Sequence, residues 1–176
     1  MLSTQNILNY LLLLPVTGIV LLLLSPSWNT KILKFIALIT SSITFILSIL
    51  LWIWFDKSTG NFQFVDKILW IPNMNINFTV GIDGISLFFI ILTTLLIFLC
   101  LLASWNSIHT NLKEYLICFL IMEFFLIGVF CILDLLLFYI FFESVLIPMY
   151  LIVGVWGSRE RKIRAAYFFF LYTLLG

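Results

Sequence analysis

The chain has 176 residues, of which 64% are hydrophobic and 10% charged, with a net charge of +1 and a mean hydropathy of +1.23. A soluble globular domain carries about 25% charged residues, so the composition is that of an integral membrane protein. Its few charges are placed by topology rather than by attraction to a polyanion, and a nucleic-acid partner is excluded.

No Lys or Arg precedes Lys31, so the start of the chain has neither the basic region of a secretory signal nor the Arg-rich pattern of a transit peptide. The first apolar segment is expected to be its own targeting information. A membrane-spanning helix needs about 20 mostly apolar residues. On that ruler the chain predicts helices over Ile7–Leu24, Ile32–Phe55, Ile85–Trp105, Glu114–Leu133 and Leu135–Val155, and a sixth from about Ala165.

Between the second and third segments, residues 56–84 form the one long connection. Asn73 to Val80 alternates polar and apolar residues with the period of a half-buried strand. Phe62, Gln63 and Phe64 begin the same pattern upstream. A small β-hairpin on the outer membrane surface is expected there. The third segment opens at Gly-Ile-Asp-Gly-Ile-Ser, where Asp83 suits a helix start and the positive end of the helix dipole. Cys100, Cys118 and Cys131 lie in apolar stretches without metal or redox spacing and read as packing residues.

Residues 114–155 form an almost continuous apolar run. As one helix of about 1.5 Å per residue it would be about twice the hydrocarbon thickness, so the chain must turn, and Asp134 marks the turn. Seven Lys and Arg (Lys31, Lys34, Lys113, Arg159, Arg161, Lys162, Arg164) border the connections after the first, third and fifth segments, against Lys57 and Lys67 on the other side. This asymmetry predicts an outer amino terminus. Lys34 is expected to snorkel to the interface. All six Trp fall at segment ends or in loops, as an aromatic belt requires. His109 reads as a loop histidine, and the cluster Arg159 to Arg164 as a positive-inside anchor with headgroup or subunit docking as the alternative.

Three acids remain away from the loops, Glu123, Asp134 and Glu143. Glu143 and Glu123 lie nine and eleven residues from Asp134, about 13 and 16 Å along their helices, so both belong near mid-bilayer. An ionisable group at that depth costs about 2.5 kcal/mol or more, and it normally faces a protein interior or an ion path. Glu143 is the predicted proton relay. Pro148 frees the Ser144 carbonyl and tends to bend the helix, which invites water, and Tyr139 and Ser144 are the nearby polar groups. Glu123 is equally a relay or a structural acid, and Asp134 a turn and cap residue before a relay. A cation close to a buried carboxylate favours its charged form, and no Lys lies deep in a segment here, so the cation must come from elsewhere.

Gly-Ile-Asp-Gly-Ile-Ser-Leu-Phe-Phe (81–89), Asp-Leu-Leu-Leu-Phe-Tyr-Ile-Phe-Phe-Glu-Ser-Val-Leu-Ile-Pro-Met-Tyr (134–150), Val-Trp-Gly (155–157) and Phe-Leu-Tyr-Thr-Leu-Leu-Gly (170–176) resemble the chain 4 family of NADH-ubiquinone oxidoreductase, antiporter-like proton-pumping subunits of respiratory complex I. The Ile- and Phe-rich composition is similar to the mitochondrially encoded version. The resemblance implies that Glu143 is the essential fifth-helix glutamate, paired with a lysine on a broken seventh helix, and that Asp134 occupies a position acidic in the family. Glu123 matches no family motif. A full family member has about fourteen helices in two inverted repeats, whereas the sixth segment here extends only about 18 Å beyond Arg164.

The expectation is therefore an all-α polytopic membrane protein of about six transmembrane helices, the N-terminal part of an antiporter-like fold. Residues 1–105 would hold three helices and the outer loop, and residues 106–176 the start of the first antiporter-like repeat, half of one repeat and insufficient for pumping alone. The implied setting is the mitochondrial inner membrane, amino terminus towards the intermembrane space. Its partners would be lipids, other membrane-arm subunits, and a second chain or missing segment carrying the lysine partner of Glu143. No cofactor is expected in this chain, flavin and iron-sulfur clusters belonging to other subunits. A multisubunit cation/proton antiporter chain and a truncated structural piece of the membrane arm are the rival readings.

Overall fold

The computed structural model describes residues 7–71, 76–108, 110–157 and 161–176. Six helices follow one another with a two-stranded insertion: α1 (Ile7–Leu24), α2 (Thr30–Trp54), β1 (Gln63–Ile71), β2 (Ile76–Ile82), α3 (Gly84–Ala103), α4 (Leu112–Cys131), α5 (Leu135–Trp156) and α6 (Lys162–Leu175). A 3₁₀ turn, Ser104–Asn106, extends α3. The first five helices are long and apolar enough to cross a membrane. Helices are the expected solution there, because each closes its backbone hydrogen bonds within itself.

Several helix ends are closed by side chains that the sequence supplies. Asn29 accepts from the Ile32 N–H at the start of α2 (3.4 Å). Asp83 accepts from the Ser86 N–H (2.7 Å) while the Ser86 hydroxyl accepts from the Asp83 N–H (2.9 Å), a reciprocal capping box that starts α3. Asp134 accepts from the N–H groups of Leu136 (3.0 Å) and Leu137 (3.3 Å) and starts α5. At the end of α1, Lys113 of α4 donates to the carbonyls of Leu23 (3.0 Å) and Ser25 (2.9 Å), placing a cation on the negative end of the helix dipole. Lys34 of α2 donates to the Trp105 carbonyl in the turn that ends α3 and lies 5.5 Å from the Trp105 ring centroid.

Helices α1 to α4 pack as a bundle with two apolar clusters. One gathers Leu8, Leu11, Leu51, Leu87 and Ile127 with Val80 and Ile82 of the hairpin. The other gathers Leu22, Leu33, Ala37, Leu101 and Leu116 at the opposite end. Gly18 permits a close approach of α1 to α2 and α4, since a Cβ there would lie 2.9 Å from Thr40 Cγ2 and 3.0 Å from Leu120 Cδ1. Small residues at crossings are how membrane helices gain packing where lipid removes the hydrophobic drive. Helix α5 lies against α4, and α6 against α5. That pair is far less enclosed: α5 buries only Leu137, Leu146 and Pro148, and α6 only Ala166.

The expected hairpin is present and antiparallel, with Asp66 opposite Val80 and Ile68 opposite Phe78. A register shift between Gln63 and Asp66 coincides with Phe64 at φ 54°, a backbone region unfavourable for a bulky residue; Phe64 packs onto the apolar cluster beneath. The hairpin is tied down twice. Asn9 of α1 donates to Asp66 (2.5 Å), and the Leu133 N–H donates to the Thr79 carbonyl (2.9 Å), beside a Val80–Ile132 bridge. The short link between α4 and α5 thus borrows a strand edge. Residues 73–75 of the expected strand, His109 and Arg159 lie outside the described residues. Cys118 and Cys131 are buried as packing residues, whereas Cys100 is exposed.

Candidate functional site

Glu143 lies midway along α5, and its setting follows from how that helix is seated. Phe141 fixes the face towards α4: a Cβ on Gly128 would meet the Phe141 ring at 2.2 Å, so only a glycine admits this contact. The ring also lies 5.5 Å from that of Phe124 and 5.6 Å from that of Phe125. Two residues on, Glu143 falls on the far side of the helix. Its stripe continues one turn at a time through Ile147, Tyr150 and Gly154. Gly154 meets Ala166 and Tyr150 meets Phe170 of α6, the rings 5.7 Å apart. Followed back along α5, this antiparallel register sets Glu143 level with the carboxyl-terminal end of α6.

Beside it, Ile147, Tyr150, Tyr167 and Phe170 line an open cleft of about 280 Å³. Glu143 Oε2 is buried and has no hydrogen-bond partner among the described residues. The local groups expected to help do not assemble around it. The Ser144 hydroxyl donates to the Ile140 carbonyl (2.7 Å), and Tyr139, one turn before Glu143 on the same stripe, is 60% exposed. Pro148 is buried and α5 continues through it without interruption.

Glu123 occupies a different compartment. It is 0% exposed, in the interior of the α1–α4 bundle, and the Thr44 hydroxyl lies 2.6 Å from its Oε1. Its Oε2 has no partner among the described residues. Thr44 belongs to a stripe on α2, Thr40, Ser41, Thr44 and Ser48, all buried. Ser48 is paired across to Thr94 of α3 at 2.9 Å. Thr44 Oγ1 is also 2.8 Å from the Ser41 carbonyl, and a hydroxyl has one proton to give. Either that proton goes to a carboxylate, or Glu123 is the neutral acid, donating to Thr44 while Thr44 donates to Ser41.

Glu123 and Glu143 therefore do not face one another. Glu123 turns to α2, whereas α5 packs on the face of α4 that carries Gly128, Phe124 and Phe125. The hydroxyl stripe on α2 was legible as Thr40, Thr44 and Ser48 at four-residue spacing, a signal that sequence reading passed over. Asp134 is at the hairpin end of α5, with one carboxylate oxygen engaged by two backbone N–H groups.

A family model described as NADH:quinone oxidoreductase/Mrp antiporter, TM, matches residues 132–176, the stretch that holds Asp134 and Glu143. Over 164 residues, 93% of its length, the chain is 65% identical to NADH-ubiquinone oxidoreductase chain 4 of Chondrus crispus. Over 166 residues, 94% of its length, it is 60% identical to that of Arabidopsis thaliana. The chain is homologous to the amino-terminal third of NADH-ubiquinone oxidoreductase chain 4. It spans 33% and 34% of the two chain 4 relatives. Its fold matches a chain of respiratory complex I from Thermus thermophilus with bound NADH, with a TM-score of 0.77 and 28% identity, over 98% of this chain and 33% of that one. A chain of the membrane-bound sulfane sulfur reductase, an archaeal respiratory membrane complex, shares the fold alone, with a TM-score of 0.69 and 19% identity over 96% of this chain and 25% of that one. The helical membrane architecture with its small hairpin thus matches the antiporter-like membrane fold of complex I.

Proposed function

We propose that this chain contributes to redox-coupled proton translocation in an NADH:ubiquinone oxidoreductase, with Glu143 as a proton relay. The observation that carries the reading is the Glu143 carboxyl oxygen, buried and unpartnered, on the α5 stripe that α6 covers and next to an open cleft. A buried carboxyl group gains or loses its proton according to desolvation and the nearest charge. A cation brought to this stripe from outside residues 1–176 would stabilise the carboxylate, and its withdrawal would let the acid take a proton back. Residues 106–176 then start the first antiporter-like repeat, and the family match over 132–176 falls within them.

Hydride and electron transfer belong to other subunits in this reading, and the chain takes part in the enzyme only at the level of the complex. The mitochondrial inner membrane is the proposed location, supported by the similarity to NADH-ubiquinone oxidoreductase chain 4 of Chondrus crispus and Arabidopsis thaliana. The amino terminus on the intermembrane-space side is supported by seven Lys and Arg against two across the spans. The test is Glu143→Gln in the intact complex. Assembly is expected to persist while the proton-to-electron ratio falls; a wild-type ratio in that variant removes the relay.

A further inference from the structure

The Gly-Ile-Asp-Gly motif (81–84) has no part in the relay, yet it borders a cavity. Where α2 ends and α3 begins, an opening of about 510 Å³ is walled by Trp52, Phe55 and Phe88 and rimmed by Lys57 and Asp83. The Trp52 and Phe88 ring centroids are 6.5 Å apart, and the Lys57 ammonium lies 5.8 Å from the Trp52 centroid. Asp83 spends Oδ1 on the Ser86 N–H. That backbone hydrogen bond holds its carboxyl below the usual carboxylate range, so the rim carries an anion as well as a cation at neutral pH.

Below the rim the exposed surface is apolar. Phe88, Leu92, Leu96 and Leu99 are 61%, 48%, 49% and 47% exposed and recur at three- and four-residue spacing along one face of α3. A polar mouth that carries one cation and one anion beside Trp52 and opens onto an apolar strip has the form of an amphiphile site. The sign pattern selects the headgroup. Anionic lipids are held by clusters of several Lys or Arg, whereas here one Lys stands with one Asp, and a second lipid anion would meet the Asp83 carboxylate. A zwitterion matches both charges, and aromatic faces favour an ammonium group within about 6 Å.

We propose that this cavity binds the headgroup of a zwitterionic phospholipid such as phosphatidylethanolamine, its phosphate on Lys57 and its ammonium between Asp83 and the rings of Trp52 and Phe88. The acyl chains then lie along the Phe88–Leu99 face of α3. This site goes beyond the proton relay and does not depend on it.

The test uses the intact complex in vesicles containing photoactivatable phosphatidylethanolamine, with adducts mapped by peptide mass spectrometry. Labelling is expected on the segments around residues 52–61 and 83–92, competed by unlabelled phosphatidylethanolamine and not by phosphatidylglycerol or inorganic phosphate. Lys57→Ala and Asp83→Asn should each reduce it by about two- to fivefold, the scale of an exposed cation–π or ion-pair contact. Asp83→Asn keeps an N-cap side chain, so α3 remains capped in that variant. Trp52→Leu, at an exposed position, gives a second variant that preserves the fold. Equal labelling in all variants overturns the proposal, as does equal competition by phosphatidylglycerol. A crosslink from a probe at position 57 to a neighbouring subunit instead of lipid would show a protein occupant and also overturn it.

Discussion

Replacing Gly128 by alanine tests how α5, and with it Glu143, is seated. The added Cβ would lie 2.2 Å from Phe141 Cδ1 and 2.4 Å from Cε1, where carbon atoms in favourable contact stand about 3.5–4.0 Å apart. The ring must therefore withdraw by more than about 1 Å. It cannot simply tilt, because Phe124 and Phe125 stand against it at centroid distances of 5.5 and 5.6 Å, so α5 has to move away from α4. Overpacking of this kind costs about 1–3 kcal/mol. The expected loss should appear in reversible chemical unfolding of the chain in mixed micelles. Gly128→Ala should also lower the proton-to-electron ratio of the complex, since Glu143 is two residues from the displaced ring. Phe141→Leu removes part of the clash, so the double variant should be more stable than the sum of the single effects by about 1 kcal/mol or more. Gly128→Ala within about 0.5 kcal/mol of wild type, uncoupled to position 141, would refute this account of the seating.

Two further outcomes follow from the capped and buried acids. Glu123→Gln can still hydrogen-bond Thr44 and should leave the unfolding midpoint nearly unchanged, whereas Glu123→Ala empties a fully buried site and should cost about 2–4 kcal/mol; Thr44→Val keeps the shape, loses the hydroxyl and should cost about 1–2 kcal/mol. Asp134→Ala should destabilise by about 0.5–2 kcal/mol through loss of the α5 cap, and Asp134→Asn much less; a pumping defect in the Asn variant with normal stability would assign Asp134 a proton-handling role instead.

The spans were readable because lipid imposes length and apolarity on each helix separately: α1 ends at Leu24 as expected, and Asp83 and Asp134 cap α3 and α5. The hairpin was readable from alternation, though not its attachment, because the Thr79–Leu133 hydrogen bond joins segments far apart in sequence through backbone atoms. What stayed hidden was rotation about each helix axis. The weak contrast between faces of α4, apolar nearly all round, gives no preferred direction. Rotation is fixed instead by Gly18 against Thr40, Gly128 against Phe141 and Thr44 against Glu123, contacts in which a missing side chain or a single hydroxyl decides the fit.

That rotation bears directly on the proposed relay. Had Glu123 and Glu143 faced one another across α4 and α5, one proton path could have used both. Instead Phe124, Phe125 and Phe141 fill the contact between those helices, and aromatic rings offer a proton no chain of donors and acceptors. Glu123 opens towards the hydroxyls of α2, whereas Glu143 lies on the stripe of α5 whose next turns, Tyr150 and Gly154, pack on α6. A proton leaving Glu143 should therefore travel on the α6 side, and variants at Thr44 or Ser48 should leave the proton-to-electron ratio intact even where they lower stability. A ratio that falls in Thr44→Val while the complex stays assembled would mean that the two compartments communicate.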